Sequence, residues 1–525
     1  MGTPLSKQRH PIHRACRRLD AERVAIDNNQ GVPALLFARE DVHFEKEGVE
    51  QLLGFIALQD TLDTLDSLER AGRLRAPFWG GEAGRLERVV LTPDFHRGSG
   101  IPVGTVASAR GFVLPQAVGS DVCCGMRLLS TDLDASAIEG AAPAIEARLR
   151  GVFFEGQRQI PMSPRQREAL LREGLWGLHD THGDNAASGL WRLYDPERQG
   201  EELRRVHFQG VLPARGVFGF GDYVQASGAQ DGRDSQIGSV GGGNHFVEIQ
   251  AVEAIEDGAA ARAWGVREGA VVIMAHSGSV GLGHFVGGHF VDRARAIYPE
   301  GLAHPAHGFY ALPTAGPHAA LAADYLDAMA NAANFAFANR LMLGLMVIQA
   351  LGDVLGRAVE ASLIYDAPHN LIWPDGPGAW LHRKGACPAY GPDPGITGPF
   401  QYTGQPVIVP GSMGSSSHLM AGQGAAEALC SACHGAGRQI SRGGARSRGE
   451  EAVEAELSGL RVVTAVDPGD AALRRRTDIL EKHRQRLMEE APGAYKPIGP
   501  VVQTIADAGV ARPVARMRPL MTIKG

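Results

Sequence analysis

Short glycine-rich turns punctuate this chain along its length and set what it can fold into. Its 68 glycines among 525 residues fall in clusters such as Gly98-Ser99-Gly100, Gly241-Gly242-Gly243 and Gly435-Ala436-Gly437, with no repeat period. Glycine admits left-handed backbone and lets a ligand approach main-chain amides, so such clusters point to ligand-facing turns on a regular scaffold. A hydrophobic fraction of 44% with 21% charged residues is that of a globular protein with a large core.

The most informative turn is Ser431-Ala432-Cys433-His434-Gly435-Ala436-Gly437-Arg438, followed by Arg442, Arg446 and Arg448. A neutral imidazole is a nucleophile, small neighbours open the backbone to a phosphate, and guanidiniums offset phosphate charge. The pattern suits a histidine that attacks a nucleotide phosphorus. A tight turn with an incidental histidine fits it equally well. Cys430-Ser431-Ala432-Cys433-His434 also fits the C-x-x-C-H signature of covalent haem. That attachment needs an oxidising compartment, and Met1 to Leu19 holds no apolar stretch of signal-peptide type. A zinc half-site would need a second pair nearby, and none follows.

Net charge is −6, but from His434 to Gly525 there are 16 Lys and Arg against 11 Asp and Glu. Contact with nucleic acid is therefore expected from a local basic surface. Six cysteines, two of them adjacent at Cys123-Cys124, do not make a disulfide framework, so a reducing cytoplasm is expected. No membrane partner is expected, because the most apolar stretch, Leu341 to Leu351, is too short to cross a bilayer. Met1-Gly2 with Ser6 formally matches a myristoylation pattern, a match common by chance.

Apolar spacing predicts an amphipathic helix over 47–72 and further helices over 136–150, 163–174, 318–340 and 470–490. Strands are expected at 88–92, 271–274, 362–365 and 407–409, and the Pro/Gly-rich piece 374–405 reads as a surface loop region. The fold class is α+β, with mixed sheets and surrounding helices. One large catalytic domain over 86–525 follows an N-terminal helical extension over 1–85.

Five segments place a metal-competent side chain beside a strand end or glycine turn. They are GSDVCCG around Asp121 and Cys124, GGGNHFVE around His245, AHSGS at His276, DAPHN at His369, and the His434 loop. Carboxylate, thiolate and imidazole are the groups that bind first-row divalent ions. Two such ions suit an in-line phosphoryl displacement, and a thiolate at Cys124 can bridge them. Cys123 reads as a buried small residue, and His289, His304, His307 and His318 as surface or packing residues.

In order, these segments resemble the RtcB family of GTP-dependent RNA ligases. DFHRGSGIPVG is similar to the family's PDxHxGxGxPIG, GSDVCCGMRL to GxDIxCGxRL, VGGGNHFVEIQ to GxGNHFxE, and AHSGSVGLGH to HxGSRGxGH. ANFAFANR, HNL, HRKGA, VIVPGSMGSSSH, HGAGRQISR, APGAYKPI and the closing AGVARPVARMRPLMTIKG continue the likeness over roughly 88–525.

The resemblance implies that Asp121, Cys124, His245, His276 and His369 hold two manganese ions, although thiolate chemistry alone would favour zinc. It implies that His434 becomes guanylylated. GTP contacts would come from Asn244, His245, Phe246, Val247, Glu248, His369, Asn370, Pro410, Gly411, Ser412, Met413, Ser417, His434, Gly435, Ala436, Gly437, Tyr495 and Lys524. Glu248 suits guanine, because a carboxylate accepts from N1–H and the exocyclic amine together. The implied reaction joins RNA 2′,3′-cyclic phosphate or 3′-phosphate ends to 5′-hydroxyl ends through a histidine–GMP intermediate, with room for an activating accessory protein. A repair or 3′-phosphate-capping paralogue, or a non-catalytic GTP- and metal-binding RNA-associated protein, is the alternative. Val280 stands where the family usually has arginine, Cys387-Pro388 replace Thr-Arg, and Trp373-Pro374 break the run after Asn370. An altered RNA-facing surface is expected from these losses.

Overall fold

The computed structural model describes residues 14–226, 236–300, 302, 307–395, 398–473 and 475–525. Two large mixed sheets form the frame. One runs, in spatial order, Cys16–Arg18, Arg23–Ile26, Ala34–Phe37, Arg85–His96, Val103–Arg110, Ala379–Lys384 and Asn370–Pro374. The other runs Ala361–Pro368, Gly125–Asp134, Ala270–Ser277, Phe246–Ile255, Ala511–Ile523, Ser417–Gly422 and Pro406–Val409, with Val462–Val463 added in parallel beside Ala511–Ile523.

Both faces of the second sheet are covered, and its central strand shows how. In Ala270–Ser277, Val272 and Met274 pack with Met126 and Leu128 in one apolar cluster. Ile273 and Ala275, alternating with them, pack into the main core. This period of two is what a strand buried on both sides imposes, and it accounts for the unbroken apolar run. Against one face lies the helix Ala319–Leu355, 37 residues long and apolar around most of its circumference. Among the described residues it is the one helix long and apolar enough to cross a membrane, yet 83% of its most apolar window is buried inside the protein. It also absorbs the stretch Leu341 to Leu351, which is core.

Helices at Ala135–Phe153, Pro164–Thr181 and Thr477–Glu490 lie where the periodicity predicts them, but the described residues 14–85 are not purely helical. Residues 16–37 supply three short strands, and Ala34–Phe37 pairs in parallel with Arg85–His96. Strands of three and four residues are too short to show alternation, so sequence periodicity saw only the helices. The 47–72 helix is two, Lys46–Ile56 and Leu58–Arg70, meeting at Ala57. The 374–405 region is also not a surface loop throughout. Ala379–Lys384 and Ala386–Pro388 are buried strands within it, their signal masked by the flanking Gly and Pro. Met1, Gly2, Ser6 and His304 lie outside the described residues.

Candidate functional site

Four strand ends of the second sheet meet at one point. Gly125 pairs with Ser277 and with Pro368, while His276 pairs with both Met126 and Phe246. Cys124, His245 and His369 each sit one residue beyond those paired ends, so register alone draws them beside His276. His369 is also the single residue between Ala361–Pro368 of one sheet and Asn370–Pro374 of the other. The site therefore lies where the two sheets join.

The side chains close on one another accordingly. Cys124 Sγ is 3.2 Å from His245 Nε2 and 3.2 Å from His276 Nε2. His245 Nε2 is 2.9 Å from Asp121 Oδ2. Two ligand groups result, Asp121–Cys124–His245 and Cys124–His276–His369, each with its donor atoms within 4.8 Å of one another and sharing the Cys124 sulfur. Burial drives the imidazoles of His276 and His369 toward the neutral, ligating form. It also pushes the Cys124 thiol up, and the Asp121 carboxylate acts in the same direction. Among the described residues, the buried Nδ1 atoms of His245, His276 and His369 have no hydrogen-bond partner. Thiolate, carboxylate and neutral imidazole in this arrangement fit divalent metal ions.

Charged groups hold the ligand turns from behind. Arg340, fully buried in the long helix, donates to Cys123 O at 2.7 Å and Ser277 O at 3.0 Å, and pairs with buried Asp366 at 2.8 Å. Asn339 donates to Gly278 O and to Ser277 Oγ. The turns carrying Cys124 and His276 are thus fixed to one rigid helix. Asn370 donates to Asp121 O and accepts from Gly385 N–H, so its amide is committed to the Asp121 turn. Buried Lys384 donates to Val118 O on the approach to that turn.

His434 stands over the cluster, its ring centroid 4.6 Å from that of His369 and 6.4 Å from that of His276. Its Nδ1 lies 2.6 Å from Asp94 Oδ2, and its backbone N–H donates to the same oxygen at 3.2 Å. Asp94 is fully buried. Burial opposes its ionisation, but hydrogen bonds from His434 and Thr92 overcome this and hold the carboxyl below its usual range. Gly437 is required here: at φ +73°, a Cβ would meet Asp94 O at 2.2 Å.

His434 opens into a cavity of about 1070 Å³. Of the nucleotide contacts predicted, Asn244, Phe246, Glu248, Pro410, Gly411, Ser412, Met413, His434, Gly435, Ala436, Gly437, Tyr495 and Lys524 line it. Glu248 is buried and accepts from Thr522 Oγ1 and from Gln250 Nε2. Burial raises its pKa, against the effect of those donors and of Lys524. Lys524 donates to Gly243 O at 3.0 Å and lies 3.7 Å from Glu490, which also accepts from Tyr495. Val247, His245, His369, Asn370 and Ser417 are not on the cavity wall. Val247 points to the opposite face of its strand, into the main core. Ser417 reaches Glu248 only through Gln250, whose Nε2 donates to both.

Several residues around the site go unmarked by sequence pattern. Asp94 lies inside the quoted DFHRGSGIPVG segment, where a carboxylate two residues before a histidine is the available signal. Arg340 stands in ANFAFANR, where an arginine inside an apolar helical run should have suggested a buried ion pair. Gln250, Thr522, Glu490 and Lys496 have no local pattern. The expectation of an altered RNA-facing surface at three of the departures is corrected by their burial. Cys387 is 2% exposed and Pro388 is buried, both in a strand paired with Ser431–Cys433. Trp373 is 3% exposed and donates to His207 Nε2, while Arg383 stacks on its face. These three side chains face the interior, whereas Pro374 is exposed. Val280 is half-buried and holds φ +49°, a left-handed backbone unusual for a β-branched residue.

Comparison with known proteins places this geometry in context. The family model described as "tRNA-splicing ligase RtcB" matches residues 83–525. The chain is 33% identical over 456 residues to "tRNA-splicing ligase RtcB" of Thermococcus kodakarensis, covering 83% of this chain and 87% of that protein. It is also 33% identical over 453 residues to "RNA-splicing ligase RtcB" of Mycobacterium bovis, covering 82% of this chain and 96% of the relative.

Proposed function

The chain belongs to the RtcB family and is an RNA ligase, and from that premise we propose that it works through a guanylate carried on His434. The observation that carries this reading is the 2.6 Å contact between His434 Nδ1 and buried Asp94, beside the thiolate–imidazole cluster. With Nδ1–H donated to Asp94, Nε2 keeps its lone pair free for attack, and the carboxylate stabilises the charge that develops on the ring.

The proposed sequence has four steps. Nε2 attacks the α-phosphorus of GTP, an N–P bond forms, and the bond to the departing pyrophosphate breaks. Water opens an RNA 2′,3′-cyclic phosphate to a 3′-phosphate. An oxygen of that phosphate then takes the guanylate, breaking the N–P bond and restoring the imidazole. The 5′-hydroxyl attacks the activated 3′-phosphorus, its proton passes to solvent, and GMP leaves as the strand closes.

The roles of the surrounding residues follow from their chemistry. Glu248, with unused acceptor capacity on both oxygens, would read N1–H and the exocyclic amine of guanine. The Gly435–Gly437 amides and Lys524 would meet phosphate oxygens. Asp121, Cys124, His245, His276 and His369 would hold two manganese ions, which when bound polarise phosphoryl oxygens and offset their charge. Six free cysteines suit a reducing compartment such as the cytoplasm.

Incubation with α-labelled GTP and manganese tests the reading. A covalent label on the wild-type protein that is absent from His434→Ala supports it. An unlabelled wild-type protein, shown to hold metal, sinks it.

A further inference from the structure

The segment 43–51, ahead of the family-matched region, is not a passive extension. The family model begins at residue 83, yet His43, Phe44, Glu45, Lys46 and Glu47 line the same cavity as His434. Their position is built in by close packing. A Cβ on Gly48 would sit 3.2 Å from the Phe95 ring and 3.5 Å from Arg97 N, so the helix Lys46–Ile56 lies directly on the end of the strand that carries Asp94. One turn further on, Gln51 donates to Gly98 O at 2.7 Å and Gly100 O at 2.6 Å and accepts from Gly98 N–H at 3.0 Å. This side chain satisfies three main-chain groups of the loop between Arg85–His96 and Val103–Arg110. That loop, with the strand end before it, contributes His96, Arg97 and Ser99 to the cavity wall.

Beside the carboxylates of Glu45 and Glu47, this wall presents a cationic edge with the chemistry to meet phosphate. Arg97 is exposed and forms no ion pair among the described residues. The Lys46 side chain is 38% exposed, and its one ion pair among the described residues is with the half-exposed Glu50 at 3.4 Å, a contact worth little in water. Ser99 is exposed beside them. The glycine loops and Glu248 that suit a nucleotide come from other elements of the cavity.

We infer that the wall made by Lys46, Arg97 and Ser99, fixed by Gln51, binds the phosphate backbone of the RNA strand whose end reaches His434. This rests on the ligase reading above. It makes the N-terminal helix part of the substrate site and Gln51 a positioning residue.

The test is binding of a fluorescently labelled single-stranded oligoribonucleotide bearing a 3′-phosphate, followed by anisotropy over a range of salt concentrations. The proteins compared are wild type, Lys46→Gln with Arg97→Gln, and the charge-keeping pair Lys46→Arg with Arg97→Lys. Each exposed contact to phosphate contributes about 0.7 to the logarithmic salt slope of a single strand. Loss of two should lower the slope by about 1.4 and weaken binding roughly tenfold, whereas the charge-keeping pair should bind within about threefold of wild type. Gln51→Ala should weaken RNA binding without altering the slope per remaining contact, and Gln51→Glu should not rescue it. Unchanged affinity and slope in the charge-neutral pair, with unchanged melting temperature, overturns the inference. Labelling of the wild-type protein by GTP, measured without RNA, reports separately on the His434 reading, so the two fail independently.

Discussion

His434 and Asp94, 340 residues apart in sequence, share a 2.6 Å contact in a site from which the carboxylate is wholly excluded from water. A buried carboxylate on Nδ1 fixes the tautomer and leaves Nε2 facing the chemistry. Asp94→Asn should therefore slow formation of the protein–GMP adduct by about 10²–10⁴-fold with metal content preserved. His434→Ala should abolish it. Cys433, fully buried beside it, should be dispensable, and the adduct should be acid-labile and alkali-stable, as a phosphoramidate is. Loss of the adduct in Cys433→Ala but not His434→Ala would overturn the assignment.

The adjacent cysteines make a second contrast. Cys124 Sγ belongs to both ligand groups, whereas Cys123 is buried on the other side of the turn, its Sγ 3.9 Å from Arg340 Nη2. Cys124→Ala should strip metal from both groups. Cys123→Ala should leave metal content intact and lower stability by roughly 1 kcal/mol, the scale of a lost small buried side chain. Elemental analysis of the two purified variants decides it, and equal metal loss from both would mean the turn is in a different register.

Asp121, Cys124, His245, His276 and His369 could be named from the sequence because each sits in a short motif that resembles the family's, and strand register then brings the motifs together. The supports were not. Asp94 acts through a contact 340 residues away, Arg340 through a buried pair with Asp366, and Gln51 through three main-chain groups of a distant loop. Gln51 has no local period or spacing to announce it, and the local cues at Asp94 and Arg340 do not name their distant partners. The N-terminal strands failed for a different reason, since three or four residues cannot display alternation. Trp373, Cys387 and Pro388 looked like surface losses because a motif shows which residue changed but not which way it faces.

On the proposed reading, Glu248 selects the base. Its two oxygens already accept from Thr522 and Gln250, which orient the carboxylate and leave one lone pair on each free. Glu248→Ala should raise the KM for GTP and reduce discrimination against ATP by roughly 10²-fold or more, because a polar site that fails to pair an analogue is what rejects it. Competition between labelled GTP and ATP for the adduct measures this. Unchanged discrimination would move base recognition elsewhere in the cavity.

Val280 opens the helix Val280–Ala296 with φ +49°. A β-branched side chain in left-handed backbone costs on the order of 1–3 kcal/mol, and glycine removes that strain while adding its own unfolded-state entropy. Val280→Gly should therefore stabilise the protein by about 1 kcal/mol. Chemical denaturation of the two proteins checks this, and a destabilised variant would show that the valine's packing outweighs its backbone.

Lys496 gives the fold a pH signature. Its ammonium is buried, donating to Pro93 O at 2.9 Å and Phe95 O at 2.7 Å, on either side of Asp94. Burial lowers its pKa to about 8, against the pull of Asp94 and Glu45. Between about pH 8 and the ordinary lysine value, the unfolded chain keeps a proton that the folded chain has released, so this group's contribution to stability rises with pH. Each pH unit in that window is worth about 1.4 kcal/mol, so the full rise is up to roughly 3 kcal/mol. Lys496→Met removes the titration, so the stability difference between wild type and variant should move in favour of wild type as pH climbs from about 7.5 to about 10.5. A difference that stays flat across that range would mean that the two carbonyls and Asp94 keep the lysine charged throughout.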